Sequence, residues 1–284
     1  MKSELRTMVR SAYDLQKLRI SMGNRIAANF RAKLGQEPGE KLEDSEALKI
    51  LADIKQRFGR LTHGLVHLPG PSKFTGDEII TSWTELALIA QWTDLEKQEK
   101  QHFRRLVNVL QDFPVYTKVL EPIAGVGPAM AGVLIGEIDI EKARYPSSLW
   151  KYAGLDVGDD GAGRSRRAEH LVDREYTAAD GEVKTRKSIT FNAFLKTKLI
   201  GVLATSLLRC GNKHYGGIYA DYKHRLESKW PDTSKGHRHN AALRYMVKMF
   251  LVDLHVAWRE LERLPVTTPY SEGKLGIVHG ADRR

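Results

Sequence analysis

Leu120-Glu-Pro-Ile-Ala-Gly-Val-Gly-Pro-Ala-Met-Ala-Gly-Val-Leu-Ile-Gly-Glu-Ile138 is the stretch on which the fold turns. An apolar helix ends in Gly125-Val126-Gly127, and a helix of small residues restarts at Pro128. Glycine allows the positive φ of a tight turn, and proline at the first helical position loses no hydrogen bond, because its missing N–H would be unpaired there anyway. Two readings follow. Backbone N–H groups beside a helix N-terminus suit a phosphate oxygen, as in helix-hairpin-helix modules that hold a nucleic acid backbone. Alternatively, Ala129, Ala131, Gly132 and Gly136 suit close packing, and the loop is a structural turn between core helices.

Upstream, the pattern is helical from Met1 to about Lys118. Leu5, Met8, Val9, Ala12 and Leu15 recur at three- and four-residue spacings, giving an amphipathic first helix. It is expected to stop near Gly35, where Gln36-Glu37-Pro38-Gly39 supplies turn residues, and a second helix runs from Asp44 to about Leu65. His67-Leu-Pro-Gly-Pro-Ser72 breaks that pattern. Thr75 with Glu78 has capping-box spacing and opens a third helix over Asp77 to Gln111. Residues 1–112 therefore read as a helical hairpin or coiled-coil arm, a candidate for self-association.

Downstream, strands are scarce. Glu169 to Lys187 suits one short hairpin around Asp180-Gly181, a good two-residue turn. Three helices follow, about Ser188–Arg209, Tyr215–Lys229 and His237–Leu264, and residues 265–284 read as a flexible tail. The expected fold class is mostly α: the arm, a domain over residues 113–264 containing a helix-hairpin-helix, and at most a short β-hairpin.

The chain of 284 residues carries 45 Lys+Arg against 35 Asp+Glu, a formal charge of +10. Of these, 19 basic and 15 acidic residues fall in 1–120, whereas Arg164–Lys229 alone holds 14 basic and 7 acidic. A local excess of this kind points to a polyanionic partner, since Lys and Arg gain affinity by displacing counterions from phosphates. Cys210 is the single cysteine, which excludes an intramolecular disulfide framework and any multi-cysteine zinc module. The most apolar stretch, Ala129–Gly136, is far short of the roughly 20 residues that span a bilayer. With charges spread through the first thirty residues, a cytoplasmic protein without a membrane partner is expected.

After the hairpin come Ile135-Gly-Glu-Ile-Asp139, Arg144-Tyr-Pro-Ser-Ser148 and Lys151-Tyr-Ala-Gly-Leu155. In order and spacing these resemble the C-terminal domain of the insertion sequence 110/116/902 transposases. Ser188 and Asn192 fall on that family's Ser-Lys-Arg-Gly-Asn-like helix start, and Gly236–Lys248 is similar to its closing helix. The likeness covers about residues 113–264. It implies DNA transposition or site-specific recombination, with DNA as partner and a guide RNA as a second ligand. Two departures accompany it. Full-length members begin with a ribonuclease-H-like nuclease domain holding metal on four acidic residues, and the first 110 residues here read as helices instead. The family's catalytic serine, in a Ser-Gly pair after the "AGL" phrase, aligns with Ala162-Gly163, and alanine cannot attack a phosphodiester.

A small shift of the loop brings Ser165 to the attacking position, flanked by Arg164, Arg166 and Arg167; a solvated basic loop touching phosphate is the other reading of the same run. Ser188 is a second catalytic candidate, or a helix N-cap. The candidate nucleic-acid contacts are Gly125, Val126, Gly127, Arg164, Arg166, Arg167, Arg186, Lys187, Asn192, Lys196, Lys198, His237, Arg238, Arg244 and Lys248. Asp139, Asp156, Asp159 and Asp160 could be taken for a metal cluster, but Asp159 and Asp160 sit in a glycine-rich loop that suits a turn, and no metal or cofactor is expected. Tyr215, Tyr219 and Tyr222 form either a base-stacking surface or one packing face. If the serine and the nuclease are both missing, the alternative is a non-catalytic, transposase-derived protein that binds DNA or RNA as an accessory or regulator.

Overall fold

The computed structural model describes residues 1–34 and 43–267. The turn expected at Gln36–Gly39 and all but the first residues of the expected tail lie outside these. The architecture is mostly α, as the apolar periodicity predicts: helices α1 (Lys2–Arg31), α2 (Asp44–Leu61), α3 (Trp83–Leu110), α4 (Pro128–Glu137), α5 (Pro146–Tyr152), α6 (Ala193–Lys198), α7 (Ala204–Arg209), α8 (Lys213–Lys229) and α9 (Lys235–Leu261). A single antiparallel pair of strands, β1 (Val172–Thr177) and β2 (Val183–Ser188), makes up the only sheet among the described residues. The chain divides into two compact units, one formed by Thr7–Leu106 and the other by Met1–Arg6 with Val107–Arg284.

In the first unit α1, α2 and α3 surround one apolar core: Ile26, Ala27 and Phe30 meet Ile50, Leu51 and Ile54 of α2 and Leu86, Ile89 and Trp92 of α3. Every element before Pro114 is helical among the described residues. The third helix starts later than its sequence suggests, at Trp83 instead of Asp77. Asp77 spends its carboxylate on the amides of Ile79 and Ile80, at 2.8 and 2.6 Å, and so closes a turn next to Gly76, whose φ is +69°. The working capping box is Ser82 with Glu85: Glu85 N–H donates to Ser82 Oγ at 3.2 Å, and Ser82 N–H to Glu85 Oε2 at 3.3 Å.

In the second unit α9 is the central helix, burying Leu243, Met246, Val247, Phe250, Leu251, Leu254 and Trp258 along one stripe. Helix α4 is buried from Met130 to Glu137, which its small residues permit. At its end a Cβ on Gly136 would sit 3.1 Å from the Arg6 Cα, so the first turn of α1 lies directly on it. A π-helical turn, Leu199–Leu203, joins α6 to α7 in one run. Buried Arg259 donates to the carbonyls of Ile140, Ala143 and Pro265 at 2.7–3.0 Å, and buried His255 Nε2 to that of Ala143 at 2.9 Å. These bonds pin the loop that leads into Arg144-Tyr-Pro-Ser-Ser148. The tyrosines of α8 all turn toward α9: Tyr215 donates to Asp253 at 3.2 Å, Tyr219 hydrogen-bonds His239 at 2.7 Å, and Tyr222 stacks on Tyr245 at 4.1 Å. They form a packing face.

The β-hairpin is present, but Asp180-Gly181 is not a two-residue turn. Thr177 and Val183 are the last paired residues, and the five residues between them close through Ala178 N–H to Glu182 O at 2.9 Å. The Asp180 carboxylate takes the Glu182 amide at 3.1 Å, and this side-chain closure stabilises the wider loop.

Candidate nucleic-acid interface

The Gly-Val-Gly loop is braced from behind. Gly125 has φ +98°, and a Cβ there would lie 2.9 Å from both Leu207 Cα and Cys210 Sγ at the end of α7. Asn212, which caps α8 by accepting from Tyr215 N–H, donates to Ala124 O at 2.9 Å. Val126 is buried. These residues act as a packed turn, while Gly127 and Pro128 at the start of α4 stay exposed.

The larger concentration of charge lies elsewhere, around Asp156. Arg164 donates to Asp156 Oδ2 from Nε at 3.2 Å and from Nη2 at 2.9 Å. Lys196 donates to the Arg164 carbonyl and lies over the Phe191 ring, 4.7 Å from its centre. Arg244 of α9 reaches the same loop: a Cβ on Gly163 would be 3.5 Å from its Nη1. One turn on, Lys248 sits 5.2 Å over Trp150, whose indole N–H donates to the Lys248 carbonyl at 3.1 Å. Burial pushes Lys196 and Lys248 below the ordinary lysine range; Arg244 pushes both further down and the Asp156 carboxylate opposes the shift. Arg164, Lys196, Arg244 and Lys248 thus gather around Asp156, of which only Oδ2 is hydrogen-bonded, while Asp159 and Asp160 also act on Arg164.

Of the other predicted contacts, Arg166 and Arg167 are exposed on the same loop. Lys198 lies over Phe194 and is likewise lowered by burial. Arg238 turns inward and donates to the carbonyls of Trp230, Pro231 and Thr233, stapling the α8–α9 loop, while His237 beside it is exposed. Arg186, Lys187 and Ser188 belong to β2, and Lys187 pairs with Asp173 at 2.8 Å. Ser188 ends a strand and caps nothing; the cap of α6 is Asn192, which accepts from Leu195 N–H at 3.0 Å. The Asn192 amide in turn donates to Tyr152 Oη at 3.0 Å and to buried Glu137 at 2.7 Å, with Arg6 on the other Glu137 oxygen at 3.2 Å. The Gly125 turn meets Leu207, eleven residues beyond Lys196 on one helical run, so turn and cluster stand about 16 Å apart along it.

The loop between Leu155 and β1 holds a constellation that sequence spacing conceals. Ser165 Oγ is 3.0 Å from His170 Nδ1, and His170 Nε2 is 3.1 Å from both oxygens of Asp160. The Ser165 amide also donates to Nδ1, at 2.9 Å, which leaves the lone pair on Nδ1 and the ring proton on Nε2, facing Asp160. Asp160 is held below the usual carboxylate range by the Ala162 amide, then by His170. His170 is buried, and a Cβ on Gly158 would meet its Nε2 at 2.8 Å, so the loop is wrapped on the imidazole. Ala162, at the serine position of the family pattern, is locked inside the turn: its N–H donates to Asp160 and its carbonyl accepts from Gly158.

A cavity of about 570 Å³ lies near Glu137, lined by Lys2, Arg6, Asp139, Lys142 and Tyr152 among others; its charges are of mixed sign. Among the described residues no group of three or more His, Cys, Asp or Glu is placed to hold a metal, and no helix is long and apolar enough to cross a membrane.

Comparison with curated proteins and with solved structures returns no match. Residues 117–179, from the turn before the Gly-Val-Gly loop through the Asp160–Ser165–His170 loop to the end of β1, match the model of the Transposase IS116/IS110/IS902 family. Over these residues the chain carries a transposase domain of the IS116/IS110/IS902 family.

Proposed function

We propose that the protein is a DNA-binding transposase that holds a phosphodiester on Arg164, Lys196, Arg244 and Lys248 and attacks it with Ser165. The observation that carries this reading is the Ser165–His170–Asp160 relay set beside that cationic cluster. Ser165 Oγ forms the bond to phosphorus as its proton passes to His170 Nδ1, and Asp160 stabilises the resulting imidazolium. The P–O bond to deoxyribose breaks, the imidazolium returns the proton to the departing sugar oxygen, and the DNA end stays linked to the serine until a second sugar hydroxyl displaces it. The arginines and lysines offset charge on the phosphoryl oxygens. Guide RNA as a second ligand accompanies this reading on the strength of the family resemblance, self-association through residues 1–112 on that of the helical arm, and a cytoplasmic setting on that of the charges spread through the first thirty residues.

The test is incubation of the full chain with supercoiled DNA under increasing salt. Strand transfer, a serine-linked DNA intermediate and steeply salt-dependent retention are expected. One observation favours a second reading: the Ser165 hydroxyl also accepts from the Arg167 amide at 3.3 Å, as a hydroxyl-stapled turn does. Steep retention without transfer would leave that reading, a non-catalytic accessory protein, in place.

The lowered lysines predict a pH dependence. A bound phosphate favours their charged forms, so binding takes up protons, and affinity is expected to fall as pH rises through their lowered range. Stability runs oppositely: between the folded and unfolded values the unfolded chain holds more protons, so the folded state gains stability as pH rises across that window. DNA titrations from neutral to alkaline pH check this, and a Lys196→Arg/Lys248→Arg chain is expected to lose the dependence because guanidinium stays charged.

A further inference from the structure

The hairpin β1–β2 is a ribbon exposed on both faces, every residue of it open to solvent except the half-buried Ser188. A lone two-stranded ribbon gains little from burial, so its side chains are free to serve a partner. The register sorts them by face. One face carries Val172, Arg174 and Tyr176 opposite Ser188, Arg186 and Lys184; the other carries Asp173 and Glu175 opposite Lys187 and Thr185. The first face has no carboxylate. Arg174 stands directly opposite Arg186, a like-charge pair that destabilises an isolated sheet. Among the described residues neither guanidinium has an acidic partner, and Arg186 is held up on the face over the Tyr176 ring, 5.0 Å from its centre. On the other face Lys187 is neutralised by Asp173 at 2.8 Å.

We propose that the Arg174–Arg186 face of this ribbon docks on the sugar–phosphate backbone of duplex DNA. The inference rests on the DNA reading above and adds to it a second, sequence-independent contact away from the Asp156 cluster. Two guanidinium forks side by side match the oxygens of one phosphate or of two neighbours, and a polyanion relieves their mutual repulsion. The approach is broadside. The tip carries Asp180 and Glu182, which hold Lys184 at 2.6 and 3.2 Å, and an acidic tip opposes end-on entry into a groove.

The test measures binding of the full chain to a duplex of arbitrary sequence as a function of salt. Removing two phosphate contacts in Arg174→Ala/Arg186→Ala is expected to lower the slope of log K against log salt by about 2, which is about a 30-fold weaker affinity near 0.15 M salt. Arg174→Lys/Arg186→Lys is expected to keep the slope, and Thr185→Ala on the opposite face to change nothing. Arg186→Ala alone, lowering the slope by about 1, serves if the double variant misfolds. A steep wild-type slope left intact by the arginine variants overturns the ribbon proposal while the DNA reading stands. A shallow wild-type slope overturns both. Loss of a dimer in sedimentation with the slope unchanged, or loss confined to binding of structured RNA, also overturns it, because the face would then serve a second copy or another nucleic acid.

Discussion

Ser165→Ala is expected to reduce strand transfer by about 10⁴-fold or more, to background, while leaving salt-dependent retention of duplex DNA at the wild-type level. The separation follows from geometry: the hydroxyl contributes no charge to the cluster around Asp156, so its loss removes the attacking atom and spares the phosphate contacts. His170→Ala is expected to cost about 10²–10⁴-fold, the range for removal of a general base, chiefly in kcat. Asp160→Asn tests the relay without emptying it. The imidazolium that forms when Nδ1 takes the Ser165 proton then faces a neutral amide in place of a carboxylate, so that variant is expected to be slow. Transfer at the wild-type rate by Ser165→Ala would reduce the loop to a phosphate contact.

Helices α1, α2 and α9 are legible in the sequence because each buries a stripe of apolar residues at helical spacing, and periodicity reports burial directly. The Gly-Val-Gly turn is legible for the same kind of reason, since one glycine there needs positive φ. What hides is whatever depends on a side chain closing its own loop. Asp77 delays α3 by capturing two amides, Asp180 widens the hairpin turn, and Arg238 spends a cation on carbonyls; each looks in sequence like a charge available for something else. The relay is hidden most completely. Asp160, Ser165 and His170 follow one another at equal intervals in a glycine-rich segment with neither helical nor strand period, and only the reversal at Gly161 brings the ends together. The cluster around Asp156 joins α6, α9 and the loop, so the basic excess after Arg164 indicated its charge and not its place.

Gly154→Val is expected to be among the most damaging single substitutions in residues 107–267, for two reasons that can be measured apart. Gly154 follows α5 with φ +65°, and the turn closes by Leu155 N–H to Trp150 O at 2.8 Å, a helix ending that wants glycine. The backbone strain costs about 1–2 kcal/mol for an L-residue and more for a β-branched one. A Cβ would also lie 2.5 Å from Cγ and Cδ2 of Phe191, and overpacking of that kind costs about 1–3 kcal/mol. Gly161 provides the control: its φ is +75° and nothing lies within 4 Å of its would-be Cβ, so Gly161→Ala pays the strain alone. Urea unfolding of Gly154→Ala and Gly161→Ala is expected to differ by the cost of the clash, and Phe191→Ala is expected to relieve part of it in the double variant. Equal destabilisation of the two alanine variants would show that Phe191 yields freely. The consequence reaches the interface, because Phe191 carries Lys196 on its ring and Asn192 beside it donates its amide to Tyr152 O at 2.8 Å. Displacing that ring moves a lysine that bonds the Arg164 carbonyl, so any Gly154→Ala chain that still folds is expected to bind DNA more weakly than Gly161→Ala does.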